Sequence, residues 1–476
     1  MSVSNELASE IIRQFPHVPS TEQAKLIDEL VDFFVSSTEN PLFILKGYAG
    51  TGKTTLLSAF VKALHVLKKK SVLLAPTGRA AKVFSMRSGK LATTIHKKIY
   101  RKETVAGGGI RLVVPPNLHT NTLFIIDEAS MIGALTQQND GSISPQNLLE
   151  DVIEYIYSGK NCRLIFVGDT AQLPPVGSDE SPALDQKYLS NYFPKLTIST
   201  FKLQHVLRQS SDSDILYNAT LLRSAAPGTF PSFIIRGSNG VRRIDGSDLQ
   251  EELESAFTSS TDGETIVITR SNKRANLFNQ QIRSRIFWME ERICGGDKLM
   301  IVRNNYFWID EKTPAGFLAN GEMIVVERLR NIESMYGFDF VDARVRLPDY
   351  PEMDSIEVKL LLDTIDEEQA CLSREKLKEL FFAIEQDYSW EKNKRKRYER
   401  IMSDPYFNAL QVKFAYAITC HKSQGGQWEK VFIDQGFLTE DLLDENFFRW
   451  LYTAFTRATE QLYLVNFNSA FFPSEE

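Results

Sequence analysis

A chain of 476 residues is longer than one hydrophobic core supports, so roughly two to four domains are expected. Hydrophobic content of 43% and charged content of 24% are those of an ordinary globular protein, and no apolar run approaches a membrane span. The net charge of −6 counts against an extended nucleic-acid footprint while leaving room for a local basic channel. Cys162, Cys294, Cys371 and Cys420 are scattered at neither metal-ligand nor redox spacing. Residues 1–10 carry acidic side chains where a signal peptide would be basic and then apolar. Free thiols in a reducing, cytoplasmic setting are therefore expected.

The first informative run is Leu42-Phe43-Ile44-Leu45, read as a buried parallel strand. It leads into Gly47-Tyr48-Ala49-Gly50-Thr51-Gly52-Lys53-Thr54, which fits G-x-x-x-x-G-K-[ST] without a mismatch. Leu56, Leu57, Phe60, Val61 and Leu64 then fall on one face of a helix. Strand, glycine loop and helix start together direct backbone N–H groups at a triphosphate. Gly47, Gly50, Thr51, Gly52, Lys53, Thr54 and Thr55 are the candidate nucleotide-binding residues. Lys53 would reach the β- and γ-phosphates and the Thr54 hydroxyl would hold Mg²⁺.

Further short apolar runs follow at 72–74, 123–126 and 164–167, separated by helix-length segments, as in a parallel sheet covered on both faces. Between the first two of these, Thr104 to Ile110 reads as a hairpin tip, with Ile110, Leu112 and Val114 alternating beyond it, in an insertion spanning about 97–121. Asp127-Glu128 directly ends a strand; Asp127 would meet Mg²⁺, and Glu128 would orient and deprotonate the attacking water. Gly168-Asp169-Thr170-Ala171-Gln172-Leu173-Pro174-Pro175-Val176 also ends a strand, where ligands of open α/β sheets bind, so Gln172 is placed beside the γ-phosphate or the water.

A second set of apolar runs, at 265–268, 414–417, 431–433 and 462–465, predicts a second α/β domain with an interruption. Within the interruption, 323–329, 338–347 and 356–362 read as β-rich, and Leu377, Leu380, Phe381, Ile384 and Tyr388 form one helical face. The basic run Lys392-Asn393-Lys394-Arg395-Lys396-Arg397 reads as a solvated helix face, with a nucleic-acid contact as the alternative. The expected boundaries are 1–200 for the first α/β domain, 201–314 with 411–476 for the second, and 315–410 for the insertion.

The order of motifs narrows the class. Ala75-Pro76-Thr77-Gly78-Arg79-Ala80-Ala81, Thr94-Ile95-His96, Asp127-Glu128-Ala129-Ser130, Gln172-Leu173-Pro174-Pro175-Val176, Val206-Leu207-Arg208-Gln209, Ala417-Ile418-Thr419-Cys420-His421-Lys422-Ser423-Gln424-Gly425 and Tyr452-Thr453-Ala454-Phe455-Thr456-Arg457-Ala458 occur in sequence. In this the chain resembles superfamily 1 helicases over about residues 15–470. Thr-Ile-His together with Gln-Leu-Pro-Pro-Val favours the 5′-to-3′ branch, superfamily 1B of the RecD and Dda type.

The resemblance implies two RecA-like α/β motor domains, a hairpin that splits the duplex, and an inserted β-barrel with a helical arm. It implies an ATP- and Mg²⁺-dependent DNA helicase that moves 5′ to 3′ on single-stranded DNA and engages single-strand/duplex junctions as a monomer, with no membrane partner. Arg208 and Arg457 are implied as arginines that complete the ATP site. Gln23 is implied as the adenine reader, although Ser20-Thr21-Glu22-Gln23 is also a capping box that would use the same side chain. Thr77, Arg79, Thr94, His96, Thr419, His421 and Ser423 are implied to face the strand. The hairpin tip, Ala106-Gly107-Gly108-Gly109, lacks the aromatic ring that would stack on an opened base pair. Two other readings stay open: a translocase that strips proteins or serves a nuclease complex, and a nucleic-acid-binding protein that uses ATP as a switch.

Overall fold

A computed structural model describes residues 3–104, 110–134, 147–206, 213–236, 240–259, 265–310, 312–439 and 442–472. The early apolar runs assemble into a six-stranded sheet in the order Ala92–Thr94, Lys70–Ala75, Thr122–Ile126, Arg163–Gly168, Pro41–Gly47, Thr197–Leu203. Every pair is parallel. Alternate residues of the strand Pro41–Gly47 serve opposite faces, as strand geometry dictates. Phe43 and Leu45 pack with Leu56, Phe60 and Leu64 of the helix Lys53–Val66. Leu42 and Ile44 pack with Val152 and Ile156 of the helix Leu148–Tyr157. Coverage on both sides is why Thr122–Ile126 is buried at every position and reads as a continuous apolar run.

A second parallel sheet has the order Ala417–Thr419, Thr265–Thr269, Trp428–Asp434, Ala458–Val465, Val241–Ile244. Between its strands the chain forms a closed barrel of Lys298–Ile301, Met323–Met335, Phe338–Arg346, Ile356–Leu361 and Leu410–Phe414. The arm consists of the helices Arg374–Asp387 and Lys394–Met402, whose Leu380, Ile384 and Ile401 pack on Phe340 of the barrel. Within the basic run, Arg395 pairs with Glu399 at 3.0 Å and Arg397 with Glu385 at 3.2 Å, weak ion pairs at the surface of the arm.

The expected boundaries shift in three places. Thr197–Leu203 pairs along the whole of Pro41–Gly47, so the first sheet continues past residue 200. The barrel reaches beyond 315–410 at both ends, because the strands within that range would leave two unpaired edges. Lys298–Ile301 and Leu410–Phe414 close them. The single apolar run expected at 414–417 is thus divided between the barrel strand Leu410–Phe414 and the sheet strand Ala417–Thr419.

The hairpin strands Arg101–Thr104 and Ile110–Val113 pair antiparallel, with Thr104 opposite Ile110. Val105, the glycine tip and the side chain of Ile110 lie outside the described residues, as does Arg208. Among the described residues no helix is long and apolar enough to cross a membrane. The four cysteines are free thiols, two of them buried.

Candidate nucleotide cleft and nucleic-acid face

The glycine loop leaves the carboxyl end of Pro41–Gly47, a strand flanked on both sides in the sheet. Gly50 (φ +80°) and Gly52 (φ +85°) adopt the left-handed conformation that folds the loop back over the helix start. A Cβ at Gly47 would lie 3.0 Å from the Lys53 side chain and 3.1 Å from Leu203, so the loop is packed to glycine dimensions there. The helix Lys53–Val66 begins at Gly52 with no side-chain cap, which leaves its first N–H groups directed into the loop. Lys53 Nζ donates to Gly47 O at 2.6 Å and Tyr48 O at 2.8 Å, holding its charge in the loop's mouth. Thr54 and Thr55 follow on the half-buried first turn. Thr51 is buried, with its hydroxyl donating to Tyr48 O at 2.8 Å.

Gln23 makes the capping box expected of it: Ser20 N donates to its Oε1 at 3.1 Å, and its own N–H donates to Ser20 Oγ at 3.3 Å. Its Nε2 also faces Thr51 O at 3.5 Å. The buried side chain thus joins the helix start to the glycine loop.

Two sheet ends supply the acidic groups. Asp127 N continues the ladder to Leu74 O at 3.0 Å, which places its carboxylate just past the strand Thr122–Ile126. Burial, and then the neighbouring Glu128 carboxylate, push Asp127 up to about 6, while the Glu128 N–H, which donates to its Oδ1 at 2.9 Å, and then Lys53 pull it back. A divalent cation at this point would relieve the same repulsion, which suits Asp127 to share Mg²⁺ with the Thr54 hydroxyl. Among the described residues no cluster of three His, Cys, Asp or Glu side chains could hold a metal, so such an ion would depend on phosphate oxygens and water for its remaining ligands. Glu128 has φ +53°, a left-handed backbone unusual for a side-chain-bearing residue and typical of strained functional positions. Gln172 is buried, and its Oε1 has no hydrogen-bond partner among the described residues. A buried acceptor without a donor is costly unless a further group reaches it.

The second α/β domain closes on these loops through its helix Glu445–Phe455. Tyr452 Oη donates to Asp169 Oδ2 at 2.7 Å and accepts from Ala49 N at 2.9 Å. Leu173 N donates to Thr453 Oγ1 at 2.8 Å, and Gln424 Nε2 donates to Leu173 O at 2.7 Å. The sequence gives Tyr452 and Gln424 no assigned role, although both lie inside quoted motifs. Arg457 is buried and bonds within its own domain, to Thr453 O, Gly426 O and Thr456 Oγ1 at 3.0–3.1 Å. All three acceptors are neutral, so its charge is not matched by a carboxylate there.

The expected strand-facing set is only partly on the surface. Thr77 caps the helix Gly78–Ser88, accepting from Ala80 N at 3.2 Å, and its hydroxyl proton stays available to an outside acceptor. His96 is half-buried, with its ring 5.5 Å from Tyr100. Thr419 is half-buried with its hydroxyl unused as a cap, and His421 is exposed. Three of the set are engaged within the protein itself. Ser423 is fully buried and donates to Cys420 O at 2.7 Å. Thr94 is buried and caps the helix Ile95–Ile99 through Lys97 N. Arg79 turns from the strand face into the domain contact, donating to Gln427 O at 3.0 Å with its guanidinium 4.0 Å over the Trp428 ring. An aromatic face and a carbonyl across the cleft outcompete solvent for that flat cation. Lys422, quoted in its motif but given no role, lines a small cleft of mixed polarity with Asn272, Asn276, Met300, Lys413 and Phe414; burial, and then Lys413, lower it to about 8.

Comparison with known proteins gives two family matches: an AAA domain over residues 20–230 and a UvrD-like helicase C-terminal domain over residues 414–465. The ATP-dependent DNA helicase dda of Enterobacteria phage T4 is 26% identical over 82% of this chain and 86% of its own length. An uncharacterized protein of Methanocaldococcus jannaschii is 25% identical over 94% of the chain, which spans 38% of that protein. The ATP-dependent RecD2 DNA helicase of Deinococcus radiodurans is 30% identical over 44% of the chain, which spans 24% of it. Among solved structures, a Bacteroides Pif1 helicase in complex with ADP-AlF3 and ssDNA aligns over 96% of this chain and 95% of its own, at 16% identity and a TM-score of 0.46.

Proposed function

In this chain, a member of superfamily 1B of the helicases, we propose an ATP-driven motor that moves 5′ to 3′ along single-stranded DNA and opens duplex ahead of it. The observation that carries the reading is the Tyr452 bridge, which joins Ala49 of the glycine loop and Asp169 of the neighbouring strand end to one helix of the second domain. A nucleotide that repositions either loop must then move the second domain, and moving domains are what advance a strand.

In the proposed cycle Lys53 and the N–H groups of the helix start bind the phosphates. Thr54 and Asp127 would hold Mg²⁺, which neutralises charge on the phosphate oxygens when bound. Glu128 takes the proton of the attacking water, and Gln172 offers its unpartnered Oε1 to that water. Arg457 and Arg208 meet the developing phosphate charge from the second domain. Thr77, His96, Thr419 and His421 contact the strand through phosphates and sugars, which is blind to sequence. Opening one base pair costs about 1.4 kcal/mol, well within one nucleotide cycle.

The test is ATP turnover with and without single-stranded DNA. Strong stimulation by DNA supports a motor whose cleft closes on both ligands. Turnover indifferent to DNA would leave only an ATP-binding switch.

A further inference from the structure

We propose that Arg223 contacts the terminal phosphate of a bound nucleoside triphosphate from the second α/β domain, a cleft arginine additional to Arg457 and Arg208. The inference rests on the reading of the glycine loop as a triphosphate site.

Arg223 lies in the last turn of the helix Asp214–Ser224, whose first turn lies against the glycine loop through Leu216. A Cβ at Gly50 would meet Leu216 of that helix at 3.3 Å and Val206, just before it, at 3.0 Å. The Arg223 guanidinium sits 3.9 Å from the centroid of the Tyr48 ring. Lys202 reaches the same ring at 5.1 Å, so two cations converge on the second residue of the loop. The carbonyl of that residue accepts Lys53 Nζ at 2.8 Å, and the next amide, Ala49 N, donates to Tyr452 Oη. The Arg223 charge is also felt at the Tyr452 phenol.

The guanidinium itself is incompletely satisfied. Among the described residues its buried NH1 has no hydrogen-bond partner and no carboxylate pairs with it. An aromatic face offsets only part of the cost of taking a guanidinium out of water. A phosphate oxygen at the loop mouth, beside Lys53, supplies both the missing acceptor and the missing charge, in the bidentate geometry that suits arginine. Arg223 stands on Tyr48, whose carbonyl holds Lys53 Nζ, whereas Gln23 reaches the loop further along at Thr51 O, so the contact is assigned to the terminal phosphate, the one Lys53 serves.

Equilibrium binding of ATPγS and of ADP, each with Mg²⁺, tests the assignment in the wild type, Arg223→Gln, Arg223→Met, Arg223→Lys and Lys53→Ala. Loss of one charge-assisted contact predicts that the Gln and Met variants bind ATPγS about tenfold or more weakly while ADP stays within about twofold, and that Lys, which keeps the charge but not the bidentate fork, recovers only part of the ATPγS affinity. The Met variant keeps an apolar stem on Tyr48, so it reports on the charge even if the Gln variant folds poorly. Equal losses for both nucleotides, or no loss for either, would overturn the proposal and leave Arg223 as packing on Tyr48. A wild type that binds neither nucleotide would instead remove the triphosphate reading, and this proposal with it.

Discussion

Tyr452 Oη stands between Asp169 Oδ2 at 2.7 Å and Ala49 N at 2.9 Å, so a single phenol of the second domain satisfies two loops of the first. Tyr452→Phe keeps the ring and its packing but leaves a half-buried amide and a buried carboxylate oxygen each short of a partner. That costs the closed arrangement about 1–3 kcal/mol. DNA-stimulated ATP turnover should therefore fall several-fold more than basal turnover. Equal effects on the two rates would show that the bridge is structural only.

Glu128 holds a left-handed backbone at the end of a buried strand, beside Asp127. Glu128→Gln preserves its size and hydrogen bonding while removing the base. Turnover should fall by about 10²-fold or more with ATP affinity nearly unchanged. Near wild-type turnover in steady-state assays would take the water-activating role away from this residue.

Arg79 is bound to Gln427 O and stacked on Trp428, across the domain contact. Its removal should act on domain closure and leave the phosphate count alone. For Arg79→Ala the dependence of log DNA affinity on log salt should keep its slope to within about half a unit, although affinity itself drops. A slope flattened by about one unit or more would return Arg79 to the strand face.

Glu322 of the barrel is buried, accepts from Ala319 N at 2.9 Å and Tyr350 Oη at 3.2 Å, and is pushed up to about 8 chiefly by burial. The folded protein therefore holds a proton that the unfolded chain releases near the ordinary value of 4.5, so stability falls as pH rises from there to about 8. Glu322→Gln keeps the shape without the ionisation. Its melting temperature should match wild type near the acid end and exceed it by about 2 °C or more at the alkaline end. Parallel melting curves across that range would mean that Glu322 ionises freely in place.

The nucleotide loops were legible because each follows a short apolar run that can only be a buried strand: Leu42–Leu45 before the glycine loop, Leu123–Ile126 before Asp127, Leu164–Val167 before Asp169. Strand period and motif lie side by side in the chain, so local reasoning reaches them. The closure of the barrel was not legible, since Lys298–Ile301 and Leu410–Phe414 are short and find each other across the whole insertion. The contact that Arg79 makes was hidden for a similar reason. Its own motif gives no hint of Trp428, whose ring decides where the guanidinium goes. Thr94 and Ser423 bear hydroxyls of the right type, but the turns of their own short helices consume them. Arg223 sits in a helix with nothing unusual in its sequence; only the fold brings it to Tyr48.

Thr94-Ile95-His96 and the Gln172-to-Val176 segment resemble the 5′-to-3′ branch, so direction of movement follows most sharply from them. The direct measurement is ATP-dependent separation of otherwise identical DNA duplexes carrying a single-stranded tail at the 5′ end, at the 3′ end, or at neither. Separation of the 5′-tailed duplex alone, abolished by Lys53→Ala, is the predicted result. Separation that requires a 3′ tail, or none of any substrate while DNA still stimulates ATP turnover, would contradict it.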